Sequence, residues 1–124
     1  MMATATTVVN VKVKNIRPQY QNLNDWMADP NNVYIGRAGV VFIDGVRCPN
    51  KASIWANPFK IDKDGTREEC LTKYRGYMMA RLMNEPGLIQ KLLALQGHRL
   101  GCWCHPEPCH GNVLIDLINM YSLD

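Results

Sequence analysis

No stretch of this sequence approaches the roughly 18 to 20 consecutive apolar residues that a helix needs to cross a bilayer, which excludes a helical membrane span. Its opening, MMATATTVVN, lacks a basic segment followed by a long apolar one, so no secretion signal is expected. Runs of like charge are also missing. The basic residues are scattered (Lys12, Lys14, Arg17, Arg37, Arg47, Lys51, Lys60, Lys63), which argues against a basic arm or tail. Neither an internal repeat nor a low-complexity linker divides the 124 residues, so residues 1–124 read as a single domain. The five cysteines are odd in number, and three of them, Cys102, Cys104 and Cys109, fall in one short segment. That pattern does not suit the spread framework of a disulfide-stapled secreted domain, and it implies thiols kept reduced in a cytoplasmic setting.

What is present is an ordinary globular balance, 47% hydrophobic and 20% charged, far from the composition of a disordered chain. A formal charge of +3 is small enough to be solvated surface charge and does not by itself identify an anionic partner.

Local patterns place the elements. In Thr6–Lys14, Val9, Val11 and Val13 alternate with Asn10, Lys12 and Lys14, as a half-buried strand requires. Asn22–Asp29 forms a short helical turn ending before Pro30, and Asn32–Arg37 reads as a second strand that closes at Gly36. Val40–Ile43 and Val46–Arg47 flank Asp44-Gly45, a dipeptide that tolerates the positive φ angles of a tight hairpin. Thr66-Arg67-Glu68-Glu69 has the form of a capping box, so a helix starts there, with Leu71, Tyr74, Met78 and Leu82 on its apolar face. Pro86 in a first turn, then Leu88, Ile89, Leu92, Leu93 and Leu95, with Gly97 as a stop, describe a further helix. His98–Cys104 is extended. After the loop His105–Pro108, Val113, Leu114, Leu117, Ile118 and Tyr121 return at helical spacing. Helices alternating with strands favour a compact Rossmann-like α/β domain, a small, mostly parallel sheet flanked by helices.

In such sheets ligands sit beyond the carboxyl ends of strands, where loops lead into helices. Gly101–Asn112, GCWCHPEPCHGN, occupies that position. Strand alternation would make Cys102 and Cys104 neighbours on one face, with Trp103 on the other. Cys109 and His110 stand where the last helix begins, and free backbone N–H groups there favour a thiolate or a bound anion. Cys109 is therefore the expected low-pKa thiol.

Three readings of this segment stay open. In one, Cys109 is a nucleophile or Cys104/His105 and Cys109/His110 supply acid–base groups, since thiol and imidazole exchange protons near neutrality. In another, a tetrahedral zinc takes four ligands from Cys102, Cys104, His105, Cys109 and His110, with Cys102, Cys104, Cys109 and His110 the chosen set, although zinc sites usually join two separated pairs. In the third, the cysteines are small hydrophobes packed under the last helix. Cys48 and Cys70 read as packing thiols, and His98 as a helix-end or surface histidine. Arg37, at a strand end, can offer a guanidinium fork to phosphate or carboxylate, and it is either a ligand contact or a solvated arginine. Ser53–Phe59, SIWANPF, is either a base-stacking wall or a hydrophobic plug, and its Asn57 has no evident helical or strand role. Asp64-Gly65-Thr66-Arg67 could hold an anion at a helix start, but capping alone explains it.

The series YIGRAG, SIWANPF, DGTREE followed by KY, and LGCWCHPEPCHGNVL resembles the small bacterial and phage family catalogued as domain of unknown function 4326, over about Val33 to Asn119. That family carries Trp-Gly-Asn-Pro-Phe where this chain has Trp55-Ala56-Asn57-Pro58-Phe59. The closing motif is also similar, more distantly, to the C-terminal motif of domain of unknown function 488, which ends in Cys-His-Arg where this chain has Cys109-His110-Gly111. The first resemblance implies a phage or bacterial cytoplasmic setting and no reaction.

The expectation is a protein that binds a nucleotide or a similar anionic small molecule at the strand–loop–helix edge. Cys104, Cys109 and His110 would be its reactive groups, and Arg37, Asn57, Gly111 and Asn112 its ligand contacts. The reaction class would be hydrolysis or transfer at a phosphate or glycosidic bond. The alternatives are a zinc-stabilised module that binds nucleic acid or protein without catalysis, and a phage accessory protein that blocks a host factor. No membrane partner is expected.

Overall fold

The structure is a computed structural model that describes residues 5–122; the termini at Met1 and Asp124, which bound the expected domain, and the first residues of the opening segment lie outside the described residues. The chain runs β1 (Thr7–Asn10), α1 (Val13–Ile16), α2 (Leu23–Ala28), β2 (Asn32–Tyr34), β3 (Val41–Ile43), β4 (Val46–Cys48), α3 (Arg67–Asn84), α4 (Leu88–Leu93), β5 (Arg99–Cys102) and α5 (His110–Tyr121). β5 lies between β1 and β2, and both pairings are parallel. β3 and β4 form a separate antiparallel hairpin around Asp44 and Gly45, whose φ angles of 51° and 78° fit the expected tight turn. The fold is thus a small parallel sheet flanked by helices.

Strand alternation sorts the core into two faces. Val8, Leu100 and Val33, paired across the sheet, pack with α3, α4 and α5 around Tyr74, Met78, Leu92 and Leu114. Val9 and Tyr34 face the opposite way, toward Ile16, Leu23 and Trp26 of α1 and α2. Gly101, level with both, has no side chain because Trp26 lies against it: a Cβ there would stand 2.5 Å from Trp26 Cη2.

Several expected boundaries move, each for a local reason. The strand expected over Thr6–Lys14 stops at Asn10, and Val13 opens α1 instead. Its partner β5 ends opposite Asn10 at Cys102, and Asn10 Oδ1 accepts the Lys12 N–H at 3.0 Å, which turns the chain away. Val9 and Val11 keep the shared face expected of them, while Val13 is 45% exposed. β2 ends at Tyr34, although the Ile35 N–H still donates to the Gly101 carbonyl at 3.0 Å. The expected strand His98–Cys104 is confined to Arg99–Cys102. α4 begins at Leu88 after Gly87 at φ 81°, so Pro86 precedes the helix, not inside its first turn. The capping box at Thr66 and Glu69 forms as expected, with Glu69 N–H to Thr66 Oγ1 at 3.2 Å and Thr66 N–H to Glu69 Oε1 at 3.0 Å.

Candidate active site

Three strand ends, Asn10, Tyr34 and Cys102, and the starts of α3 and α5 converge on one edge of the sheet. Cys102 closes β5 and Cys109 is the N-cap of α5, and their Sγ atoms lie 3.1 Å apart, both buried. The strand ends before Cys104, so the thiol that neighbours Cys102 is Cys109 and not Cys104 as alternation suggested. Two thiolates this close would repel strongly, so the pair ionises once. The Cys102 thiol is brought down to about 6, first because Cys109 S–H donates to it, then through the backbone N–H groups of Cys104 and His105. Once Cys102 is ionised, the Cys109 thiol is pushed far up, because its proton is held in that hydrogen bond. The low-pKa thiol expected at Cys109 is therefore its partner. The helix start still contributes, since the N–H groups of Gly111 and Asn112 point at the Cys109 sulfur.

A cavity of about 370 Å³ opens over this pair, lined by Arg37, Asn57, Phe59, Lys60, Arg67, Cys70, Trp103, Cys104 and His110 as well as the two thiols. Arg37 is oriented by carbonyls: Nε and Nη2 donate to the Asn57 carbonyl at 3.2 and 2.9 Å, and Nη2 reaches Phe59 O at 3.3 Å. Arg67, on the first turn of α3, donates from Nη1 to the Pro108 carbonyl at 3.1 Å. Its pKa is pushed up, chiefly by the neighbouring Cys104 sulfur. Cys104 is half-buried, so this thiol and its guanidinium face the cavity together.

His110 is the third chemically capable group. One ring nitrogen, Nε2, lies 2.7 Å from the Ile35 carbonyl; a carbonyl only accepts, so Nε2 carries the proton and Nδ1 keeps its lone pair. Burial pushes the imidazole pKa down, which keeps the ring neutral. The Tyr74 ring packs edge-on at 5.2 Å, and the Tyr74 hydroxyl donates to the Trp55 carbonyl at 2.7 Å.

The other expected residues divide. Asn57 lines the cavity, but its Oδ1 accepts the Phe59 N–H at 2.9 Å, which is the local role the sequence left unassigned. Gly111 and Asn112 do not line it. Gly111 lets α5 settle on the sheet, since a Cβ there would stand 3.0 Å from Val8 Cγ2 and 3.1 Å from Ile35 Cδ1. Asn112 Oδ1 accepts the Cys109 N–H at 3.0 Å as a cap. Within SIWANPF, Trp55 is the buried plug and Phe59 is a cavity wall. Cys48, half-buried on β4, takes a hydrogen bond from Asn24 Nδ2 at 3.5 Å, whereas Cys70 is buried and also faces the cavity. His98 Nδ1 contacts the Gln96 carbonyl at 3.2 Å beside the helix end. Among the described residues no three His, Cys, Asp or Glu side chains are grouped to hold a metal ion. The short loop sends Cys104 out toward Arg67 while Cys102 and Cys109 face each other.

Three contributors were not assigned from sequence. Asn10 braces the Cys/His loop by donating from Nδ2 to His105 O at 2.8 Å and Trp103 O at 3.4 Å. Trp103 is fixed by its Nε1–H to Tyr34 Oη at 2.9 Å. Arg67 was read within a segment that could hold an anion at a helix start or serve for capping alone, and it lines the cavity from the first turn of α3.

A family profile described as domain of unknown function (DUF4326) matches residues 19–120. A protein of Enterobacteria phage T4, described as an uncharacterized 12.4 kDa protein in the nrdA-td intergenic region, is 31% identical over 76 residues, covering 60% of this chain and 68% of the relative. No solved structure matches.

Proposed function

This chain belongs to the DUF4326 family, and we propose that it binds a nucleotide or a similar anionic small molecule at the strand–loop–helix edge and cleaves or transfers it at a phosphate or glycosidic bond. One observation carries this reading: Arg37, Lys60 and Arg67 surround a cavity of about 370 Å³ whose floor holds the Cys102–Cys109 pair and His110. Guanidinium groups beside two helix starts suit an anion, and the volume lies in the range of small-ligand sites. The position beyond the carboxyl ends of three parallel strands is that of ligand sites in Rossmann-like folds, and we read the sheet as a small version of that architecture. Two reduced thiols at 3.1 Å suit the cytoplasm of a host cell.

The chemistry follows from the proton inventory. The thiolate shared by Cys102 and Cys109 attacks the phosphorus or anomeric carbon, and a bond from sulfur forms as the bond to the leaving group breaks. Electrons leave with that group, which takes the proton of the Cys109 S–H; the proton that His110 later accepts from water returns to the Cys109 sulfur and closes the cycle. Water then cleaves the sulfur-bound intermediate, its proton passing to Nδ1 of His110 and its oxygen to the product, and the thiolate is regenerated. No electron is gained or lost overall. Arg37 and Arg67 hold the anion, and Cys104, beside Arg67, borders the reacting group.

The test is incubation of the purified chain with a panel of nucleotides and nucleosides, with products separated by chromatography. Turnover that falls by about 100-fold or more in Cys102→Ala, Cys109→Ser and His110→Ala supports the reading. It is abandoned if no member of the panel binds or reacts, or if these variants leave every ligand interaction intact.

A further inference from the structure

The cavity over the thiol pair is not isolated. A second cavity, of about 390 Å³, shares Arg67, Trp103 and Cys104 with it and adds Lys12 and Lys14. A third, of about 600 Å³, shares Lys12, Lys14 and Trp103 with the second and extends to Arg17 and Phe42. Trp103 lines all three, so the cavities adjoin one another around its ring between the thiol pair and the β3–β4 hairpin, and together they are the trough considered below.

The charge along this trough is one-sided. Six of the chain's 14 basic residues line it, Arg37, Lys60, Arg67, Lys12, Lys14 and Arg17, against two of its 11 acidic residues, Asp44 and Glu107. The ion pairs recorded among the described residues, Arg75–Asp116, Arg81–Glu85 and Arg99–Asp29, use none of these six. A net charge of only +3 therefore hides a concentrated basic surface, because the acidic residues stand elsewhere. Aromatic rings recur along the same path. Phe59 walls the inner cavity, Trp103 stands at the junction, and Phe42 is 65% exposed at the outer end with the Arg47 guanidinium 4.7 Å from its ring centre.

Cations and aromatic rings together lining adjoining cavities suit a single-stranded nucleic acid, which carries a phosphate and a flat base in every unit. We propose that this trough binds single-stranded nucleic acid, with phosphates on Lys12, Lys14, Arg17 and Arg67 and bases against Phe42 and Trp103, and that it seats one nucleotide of the strand over the thiol pair. The inference rests on the nucleotide reading of the inner cavity and extends it from a free nucleotide to a residue in a strand. A duplex keeps its bases stacked internally and cannot use the aromatic positions. At such a site RNA and DNA differ by the ribose 2′-hydroxyl and by the methyl group of thymine.

The test is fluorescence anisotropy of the full chain with labelled oligo-dT and oligo-U of about 12 nucleotides, the matching duplexes, and a labelled mononucleotide, at about 50 and about 200 mM salt. Single strands are expected to bind at least tenfold more tightly than the mononucleotide and than the duplex. The double variant Lys12→Glu/Lys14→Glu, altered at exposed positions, is expected to lose at least tenfold and to flatten the dependence of log affinity on log salt by about 1.4, two contacts at about 0.7 each. Phe42→Ala is expected to weaken strands several-fold without changing the mononucleotide. A preference between oligo-U and oligo-dT that persists between oligo-U and oligo-dU assigns the strand to RNA or DNA within the proposal. Strands that bind no better than the mononucleotide, a duplex that binds equally, or affinity unchanged in the double variant overturns the trough and leaves the nucleotide site standing. Binding of neither strand nor mononucleotide overturns both.

Discussion

Replacing Cys109 by alanine removes the S–H that donates to Cys102 across 3.1 Å, the main cause of the low Cys102 pKa. With a pKa of about 6, the pair is about 90% ionised at pH 7, against about 3% for an ordinary thiol near 8.5. That is about 30-fold more thiolate. Intrinsic nucleophilicity falls with pKa, however, by about tenfold to twentyfold over such a shift, so the reaction rate at pH 7 rises only about two- to threefold. The pH midpoint, not the rate, therefore discriminates. The assay is ultraviolet thiolate absorbance of the reduced chain against pH, which reads buried thiols without requiring a reagent to reach them. The wild-type chain is expected to show one thiolate step near pH 6. In Cys109→Ala that step should move up by about one unit or more, because desolvation by burial is then less offset. In Cys102→Ala the step near pH 6 should disappear. A wild-type titration with no thiolate forming below about pH 8, or a step unmoved in Cys109→Ala, refutes the shared-proton account.

Gly111→Ala places a Cβ 3.0 Å from Val8 Cγ2, an overlap costing about 1–3 kcal/mol, while better helix propensity returns up to about 1 kcal/mol; urea unfolding should show a net loss of about 1–2 kcal/mol. Gly101→Ala meets the rigid Trp26 ring at 2.5 Å and should cost about 3 kcal/mol in the same assay, with no propensity gain. The buried His110 has a depressed pKa, so below about pH 6.5 the unfolded chain binds the extra proton and the folded chain resists it; stability is complete above that value and falls with acidification. His110→Gln should remove that part of the acid loss while other groups keep theirs, as unfolding at a series of pH values will show.

Apart from α1, which was read as the end of a strand, the sequence made the helices and the hairpin legible because their signals are local. The Thr66–Glu69 box, Asp44-Gly45 and the Leu92 to Leu117 stripes each depend on neighbours within a few residues. Strand ends were read too long at Lys14, Arg37 and Cys104 because a strand lasts only while its partner does, and the partner's length is a tertiary fact. The Cys/His segment was found at the correct edge of the sheet, with Cys109 and His110 starting the last helix. Which thiols meet was not legible, since the turn after Cys102 breaks the alternation that would have paired it with Cys104. Gly111 and Asn112, expected as ligand contacts, pack against Val8 and Ile35 and cap Cys109 respectively, roles that depend on where the last helix meets the sheet. Arg67 and Lys60 joined the site from more than 30 positions away, through the path of the loop before α3.

The central claim, that Arg37 and Arg67 hold an anionic nucleotide above the thiol pair, is tested most directly by isothermal titration of the full chain with a nucleotide panel, repeated on Arg67→Ala. The account predicts one site per chain for at least one nucleotide, weakened about 10- to 100-fold in the variant, as loss of a charged hydrogen bond worth about 1.5–3 kcal/mol requires. Heats absent for every nucleotide, or equal affinity in Arg67→Ala, would contradict it.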